Sequence, residues 1–351
     1  APGAPPPEGA PGQPPAGPPA APGDRQGPQV REDLDARIRG FFAVERERVT
    51  AISPDATRLV DAVVAAAASL ELFQTAALIH DDILDSSDTR RGRPSVHRVF
   101  EALHRESGWA ADPAHFGVSA AVLTGDMSLS FAEQLFADAA ARVATQAGAR
   151  AREIFSTMRT EVMAGQYLDI HAEVAPPAAE PARQLERAMT VLRYKSAKYS
   201  VEHPVAIGAA LAGADEAFLR ACAAFTLPLG EAFQLRDDVL GVFGDPETTG
   251  KPAGDDVREG KRTALVALCE ERATPSQRAW LESVLGRADL PDTDVARVRE
   301  LMHSTGAHER SEQLIAQLVR DADAGLAALP TGPVPRAGLQ ALADAAVRRA
   351  R

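Results

Sequence analysis

Ser69-Leu70-Glu71-Leu72-Phe73-Gln74-Thr75-Ala76-Ala77-Leu78-Ile79-His80-Asp81-Asp82-Ile83-Leu84-Asp85 is a long apolar run that ends in carboxylates. Leu59, Val60, Val63 and Val64 open the segment and alanines fill it, so the whole stretch reads as helix. A helix end is a poor place to store like charge. Asp81 and Asp85 stand four residues apart on one face and repel each other, unless a cation lies between them. A second apolar run closes the same way: Phe233-Gln234-Leu235-Arg236-Asp237-Asp238-Val239-Leu240-Gly241-Val242-Phe243-Gly244-Asp245. Two such clusters ask for a shared site that holds divalent metal and diphosphate.

Carboxylate oxygens suit hard Mg²⁺, which keeps several waters and bridges to phosphate oxygens. Directly after the first cluster, Arg90 and Arg91 offer fork-shaped donors matched to phosphate. The second cluster leads into Thr249-Gly250-Lys251-Pro252, then Asp256 and Gly260-Lys261. Lys251 and Lys261 can neutralise charge on a departing diphosphate. Either cluster alone would pass for a solvated helix end; the pair does not.

Composition agrees with a helical body. Of 351 residues, 45% are hydrophobic, 25% charged and only 5% aromatic, which favours helix over sheet. A net charge of −11 argues against general nucleic-acid binding, because no basic stripe is available to follow phosphates. Cys222 and Cys269 provide neither a disulfide framework nor a zinc spacing, and point to a reducing, cytoplasmic compartment. No stretch is expected to reach the roughly 20 apolar residues of a membrane span, and no signal peptide is recognised.

Residues 1 to about 28 are almost wholly Ala, Pro and Gly and are expected to form a disordered tail. Such a tail reads either as a solvated leader or as a tether to a larger assembly; its composition resembles tails on cargo enzymes of bacterial encapsulin shells. Residues 29–351 read as one all-α domain. Leu34, Ile38, Phe41 and Phe42 recur at helical spacing, and further helices are expected at about 117–138, 148–173, 182–213, 215–243, 258–272 and 310–328. No window alternates long enough for a strand. Pro204 marks either a kink inside a helix or the boundary between two.

With Gly165-Gln166-Tyr167-Leu168-Asp169 and Tyr194-Lys195-Ser196-Ala197-Lys198 added, the motifs resemble those of the trans-polyprenyl diphosphate synthases, from about residue 32 onward. The likeness is greatest to bacterial short-chain members that make geranylgeranyl or farnesyl diphosphate. The resemblance implies an antiparallel α-helical bundle with a deep central cavity, in a homodimer. It implies about three Mg²⁺: two on Asp81 and Asp85, with Asp82 in support, and a third on Asp237. It assigns Arg90, Lys195 and Lys251 to the allylic diphosphate, with Lys261 nearby, and Gln74 and Arg91 to isopentenyl diphosphate. Gln166 and Asp169 would line the cavity, Asp169 near Lys195, and Phe233 and Gln234 would contact substrate. The reaction implied is head-to-tail trans condensation, with the proton lost to the departing diphosphate. His80, His97 and His203 are then structural or phosphate-orienting.

Two departures stand out. Gly241 occupies a position where many members have a third aspartate, so Asp237 loses its i,i+4 partner. Members also carry a Gly-Gly-Lys-x-x-Arg-Pro segment before the first acidic helix, whereas here Ala65-Ala66-Ala67-Ala68 runs straight into Ser69-Leu70. A mobile segment missing at that point would leave the enzyme intact, and this is the expectation; a natural deletion would cost the second substrate two cationic contacts. Ala76 and Ala77, ahead of Asp81, point toward the cavity floor, with Phe73 one turn deeper. Small residues there leave room for geranylgeranyl diphosphate, with farnesyl diphosphate second. The alternatives are a non-catalytic subunit of a heteromeric synthase and a class I terpene cyclase.

Overall fold

The structure is a computed structural model that describes residues 40, 43–44, 46–51, 53–175, 181–244 and 254–347. The Pro-rich tail, the expected helix of Leu34 to Phe42, Asp245 and Lys251 lie outside the described residues. The chain forms two compact units, residues 1–57 and 58–351. In the first, residues 46–51 are helical and Thr50 Oγ1 donates to the Arg46 carbonyl (2.7 Å).

The second unit is built almost entirely of helices. Helix α1 (Pro54–Leu84) enters it and ends at the first acidic cluster. A hairpin follows, β1 (Thr89–Arg90) and β2 (Arg93–Pro94), paired Thr89 to Pro94 and Arg90 to Arg93. Arg91 (φ 53°) and Gly92 (φ 69°) form its two-residue turn, the left-handed pair that suits a tight hairpin. These two short strands correct the expectation of none; a two-residue strand has no alternation for a sequence reading to catch. Then come α2 (Val96–Glu106), α3 (Pro113–Ala141) and α4 (Thr145–Val174).

Next, α5 (Pro181–Val191), a π-helical stretch (Leu192–Glu202) and α6 (His203–Leu211) form one continuous path. Pro204 therefore sits inside a continuous helical path, at the point where π-helical hydrogen bonding gives way to α-helical. The long α7 (Glu216–Phe243) begins at Asp215, whose side chain accepts from the Phe218 N–H. The expected helix 258–272 is two, α8 (Asp255–Glu259) and α9 (Ala264–Arg272), split at Gly260 (φ 81°). Four more follow: α10 (Pro275–Val284), α11 (Asp292–Ser304), α12 (Ala307–Ala328) and α13 (Pro333–Val347).

Helices α1, α3, α4 and α6 share a core around Phe73, Phe136, Phe155, Met158 and Ile207, with Phe136 and Phe155 stacked at 4.1 Å. Each such buried side chain contributes about 1.5–3 kcal/mol relative to exposure. A second core joins α5 and the π-helical stretch to α7, α9 and α12 through Leu192, Leu235, Val239, Ala264 and Ile315. Both cysteines are buried and free.

One further expectation changes. Within α1, residues 57–84 are long and apolar enough, by length and composition, to cross a membrane, against the expectation that no stretch would be. Alanine richness produces that reading, and one face of the same helix lines a polar cavity. Helix α1 is also uninterrupted across Ala68–Ser69, where Ser69 is wholly buried and donates to the Ala132 carbonyl (2.6 Å).

Candidate active site

The acidic ends of α1 and α7 meet at one cavity of about 560 Å³. Its polar end holds Asp81, Arg90, Gln166, Asp169, Lys195, Gln234, Asp237, Asp238, Asp256, Lys261 and Arg262. Its apolar side is made by Leu70, Phe73, Ala77, Leu78, Val162, Leu192 and Phe233, with Gln74 among them.

On the α1 side the hairpin folds Arg90 back over the acidic end. Arg90 donates from Nε (2.8 Å) and Nη2 (2.5 Å) to Asp82 Oδ1, and from Nη2 to Asp81 Oδ2 (3.1 Å). Asp82 is buried and spends its carboxylate on that arginine. Lys195, on the π-helical stretch, donates to Asp169 (2.5 Å) and lies 3.3 Å from Asp81 Oδ1, where Gln166 Nε2 also donates (3.3 Å). This depends on Gly165: a Cβ there would overlap the backbone of Lys195 and push α4 away. Lys261 meets Glu259 (2.5 Å), Asp85 (3.4 Å) and Asp256 (3.9 Å).

Charge follows this geometry. Burial pushes the Asp81 carboxyl up, but Lys195, Lys261 and Arg90 outweigh it and hold the group below its ordinary value. Burial, then the Asp81 charge, raises Asp85. Burial drives Asp238 up to about 8, helped by Asp256 and Asp237, although Gln234 donates to it (3.1 Å). Burial with Asp169 and Asp85 nearby brings Glu173 to about 7. Lys195 and Lys261 are raised despite burial, because carboxylates surround them, so both stay charged.

Most of the anticipated residues therefore converge. Asp81, Arg90, Lys195, Asp237, Lys261, Gln74, Gln166, Asp169, Phe233, Gln234, Ala77 and Phe73 line the cavity. Asp85 reaches it through Lys261. Others differ: Arg91, in the outer turn of the hairpin, is exposed, because the turn that brings Arg90 in carries its neighbour out. Ala76 is wholly buried in helix packing and is not part of the lining. His97 is near Ser95 (3.2 Å), His203 near Glu161 (2.7 Å) and His80 near the Val122 carbonyl (3.3 Å); none lines the cavity.

Sequence reasoning missed Arg262 as a lining group, and it named Asp238 and Asp256 beside the second cluster without giving either a role of its own. The signal for Asp256 was present in Gly241. A Cβ at Gly241 would overlap the Asp256 carboxylate, so the glycine makes room for an acid from α8.

The family model for polyprenyl synthetase matches residues 35–302. The chain belongs to that family. It is 31% identical over 244 residues to a short chain isoprenyl diphosphate synthase of Methanocaldococcus jannaschii, a match spanning 69% of this chain and 66% of the relative. It is 33% identical over 245 residues to a (2E,6E)-farnesyl diphosphate synthase of Mycobacterium tuberculosis, spanning 68% and 60%. The chain thus spans 66% and 60% of the length of these two relatives. Among solved structures, the geranylgeranyl pyrophosphate synthase of Corynebacterium glutamicum, complexed with isoprenyl diphosphate and magnesium, superposes with a TM-score of 0.77 at 45% identity. That superposition covers 83% of this chain and 80% of the other. The all-α isoprenoid synthase fold is shared with this polyprenyl synthetase relative.

Proposed function

We propose that the chain is a trans-prenyltransferase that condenses an allylic diphosphate with isopentenyl diphosphate in a magnesium-dependent reaction, with geranylgeranyl diphosphate as product. The observation that carries this reading is the pairing of Asp81 on α1 with Asp237 and Asp238 on α7 around one cavity, with Lys195, Lys261 and Arg90 between them.

The residues fit a hard divalent cation. Every acidic donor is a carboxylate oxygen, and burial, then the neighbouring acids, raises Asp85 and Asp238, so a positive ligand would relieve the site. Bound by Asp81, Asp85 and Asp237, magnesium supplies positive charge to the diphosphate oxygens. Lys195, Arg90 and Lys261 hydrogen-bond that leaving group and stabilise charge as the allylic C–O bond breaks. Phe73, Ala77, Val162, Leu192 and Phe233 hold the hydrocarbon tail and keep water from the cationic carbon. The isopentenyl double bond then forms the new C–C bond, and the proton leaves to the released diphosphate. Lys251 belongs to the same reading as a further diphosphate contact.

A homodimer is part of this proposal. Val118, Val122, Leu123, Met127 and Phe131 on α3, with Met163 and Tyr167 on α4, are exposed apolar residues that a second copy would cover. Residues 1–28 are proposed as a tether to a larger assembly such as an encapsulin shell; their deletion should leave turnover unchanged while abolishing that assembly.

One observation favours a second reading. Helix α1 contributes no lysine and a single arginine, Arg58, which does not line the cavity. A chain short of cations for the second substrate fits a partner subunit that holds an allylic diphosphate without elongating it. The purified chain, given farnesyl diphosphate, isotopically labelled isopentenyl diphosphate and Mg²⁺, decides between the two. Labelled C20 product, abolished by EDTA, is expected; no product together with tight binding of the allylic diphosphate would establish the second reading.

A further inference from the structure

Away from the cavity, the turn between α11 and α12 gathers His303, His308 and Glu309. One ligand atom from each lies within 4.8 Å of the others, and His303 Nδ1 is 3.5 Å from Glu309 Oε1. We propose that these three residues bind a divalent transition metal of the zinc class, separate from the metal site at the carboxylate walls.

The chemistry distinguishes the two sites. Imidazole suits zinc and its neighbours, whereas Mg²⁺ takes oxygen donors. Two neutral imidazoles and one carboxylate leave one positive charge on a divalent ion and keep coordination positions open to water. The turn is also pre-shaped for them. Thr305 is buried and donates to the Leu301 carbonyl (2.8 Å), and Gly306, at φ 73°, takes the left-handed conformation that reverses the chain. This places the last turn of α11 beside the first turn of α12. Phe243 packs on both imidazoles, at 4.9 Å from His303 and 4.7 Å from His308, and the two rings are 4.7 Å apart. Ordering cost is thereby met before the ion arrives.

The location gives the site a consequence. Phe243 is the last residue of α7, the helix that carries Asp237 and Asp238. An ion on His303, His308 and Glu309 ties the α11–α12 turn behind that residue and stiffens the end of α7, without touching the substrate cavity.

The test is calorimetric titration of the full chain, stripped with EDTA and exchanged into excess Mg²⁺, with Zn²⁺. One Zn²⁺ per chain is expected, with a rise in melting temperature on binding. His308→Ala and Glu309→Gln should each weaken that site at least about tenfold. Both positions lie in the first turn of α12, with Glu309 exposed and His308 half-buried; both variants should fold, as melting temperature checks, and Mg²⁺-dependent binding of inorganic pyrophosphate should be unchanged in each. Zn²⁺ binding of equal affinity and stoichiometry in parent and variants would overturn the proposal, as would a parent chain that binds no Zn²⁺.

Discussion

The two carboxylate walls of the cavity are alike in sequence and differ in how many cations meet their acids. On the α1 wall, cations meet the acids: Arg90 takes Asp82, Lys195 approaches Asp81, and Lys261 approaches Asp85. Asp81 is accordingly held below its ordinary value. On the α7 wall, Asp238 is half-buried beside Asp237 and Asp256, and burial raises its carboxyl to about 8. The first wall is neutralised by side chains that a diphosphate can recruit. On the second, burial and the neighbouring acids outweigh Lys261, so Asp238 keeps a proton that a bound cation would displace. A similar pair of motifs has become one wall rich in cationic donors and one dominated by acids, with raised carboxyls on both.

The harshest way to break this contrast is Asp81→Asn. It removes the acid that Arg90, Lys195 and Gln166 all address, and a proposed metal ligand with it. Turnover with labelled isopentenyl diphosphate should fall by about 10²–10³, the usual cost of losing one strong electrostatic stabiliser. A loss under tenfold would show that the α1 wall does not carry the reaction.

Gly241→Ala tests the other wall. Its Cβ would overlap the Asp256 carboxylate and displace the acid that fills this position. Because the displaced group is the end of a side chain, the fold should survive with little change in melting temperature. Magnesium-dependent pyrophosphate binding should weaken by about tenfold, or ~1.4 kcal/mol. Unchanged binding would mean that Asp256 takes no part in the second wall.

Smaller still is the effect expected of Ala77→Phe. Ala77 lines the apolar side next to Phe73, whereas Ala76 is enclosed by helix packing. The bulkier ring should shorten the product by one five-carbon unit, read by chromatography, while Ala76→Phe should destabilise the chain instead, by about 1–3 kcal/mol from overpacking. An unchanged product in Ala77→Phe would move the cavity floor elsewhere.

What was legible in the sequence was whatever depends on local spacing. The acidic ends of α1 and α7 and the helical body followed from motif and period, while the meeting of Lys195, Asp169 and Gln166 was implied by the family resemblance. What escaped depends on how elements approach each other. Asp256 is sequentially remote from Gly241 and meets it only because α8 folds under α7. Arg91 looked equivalent to Arg90 until a two-residue turn sent them to opposite sides. Ala76 and Ala77 are indistinguishable by composition, and one residue of helical rotation, about 100°, separates packing from lining.

The smallest effect isolates burial from the walls altogether. Glu270, on α9, is buried and raised to about 7, first by burial and then by Glu282, with Arg262 at 3.5 Å as partial compensation. Its folded value lies above its unfolded value, so the native state keeps a proton that the unfolded chain has already lost. Stability contributed by that proton is full below about 4.5 and disappears as pH rises through about 7. Asp238 and Glu173 are raised and add slope of the same sign, so the parent alone cannot separate the three. Glu270→Gln removes one contribution and leaves the others. Melting temperatures from pH 5 to 8 should therefore fall less steeply in the variant than in the parent, with the difference concentrated below pH 7. Parallel curves would show that Arg262 already neutralises Glu270, leaving the raised carboxyls of the α7 wall and Glu173 to account for the pH dependence.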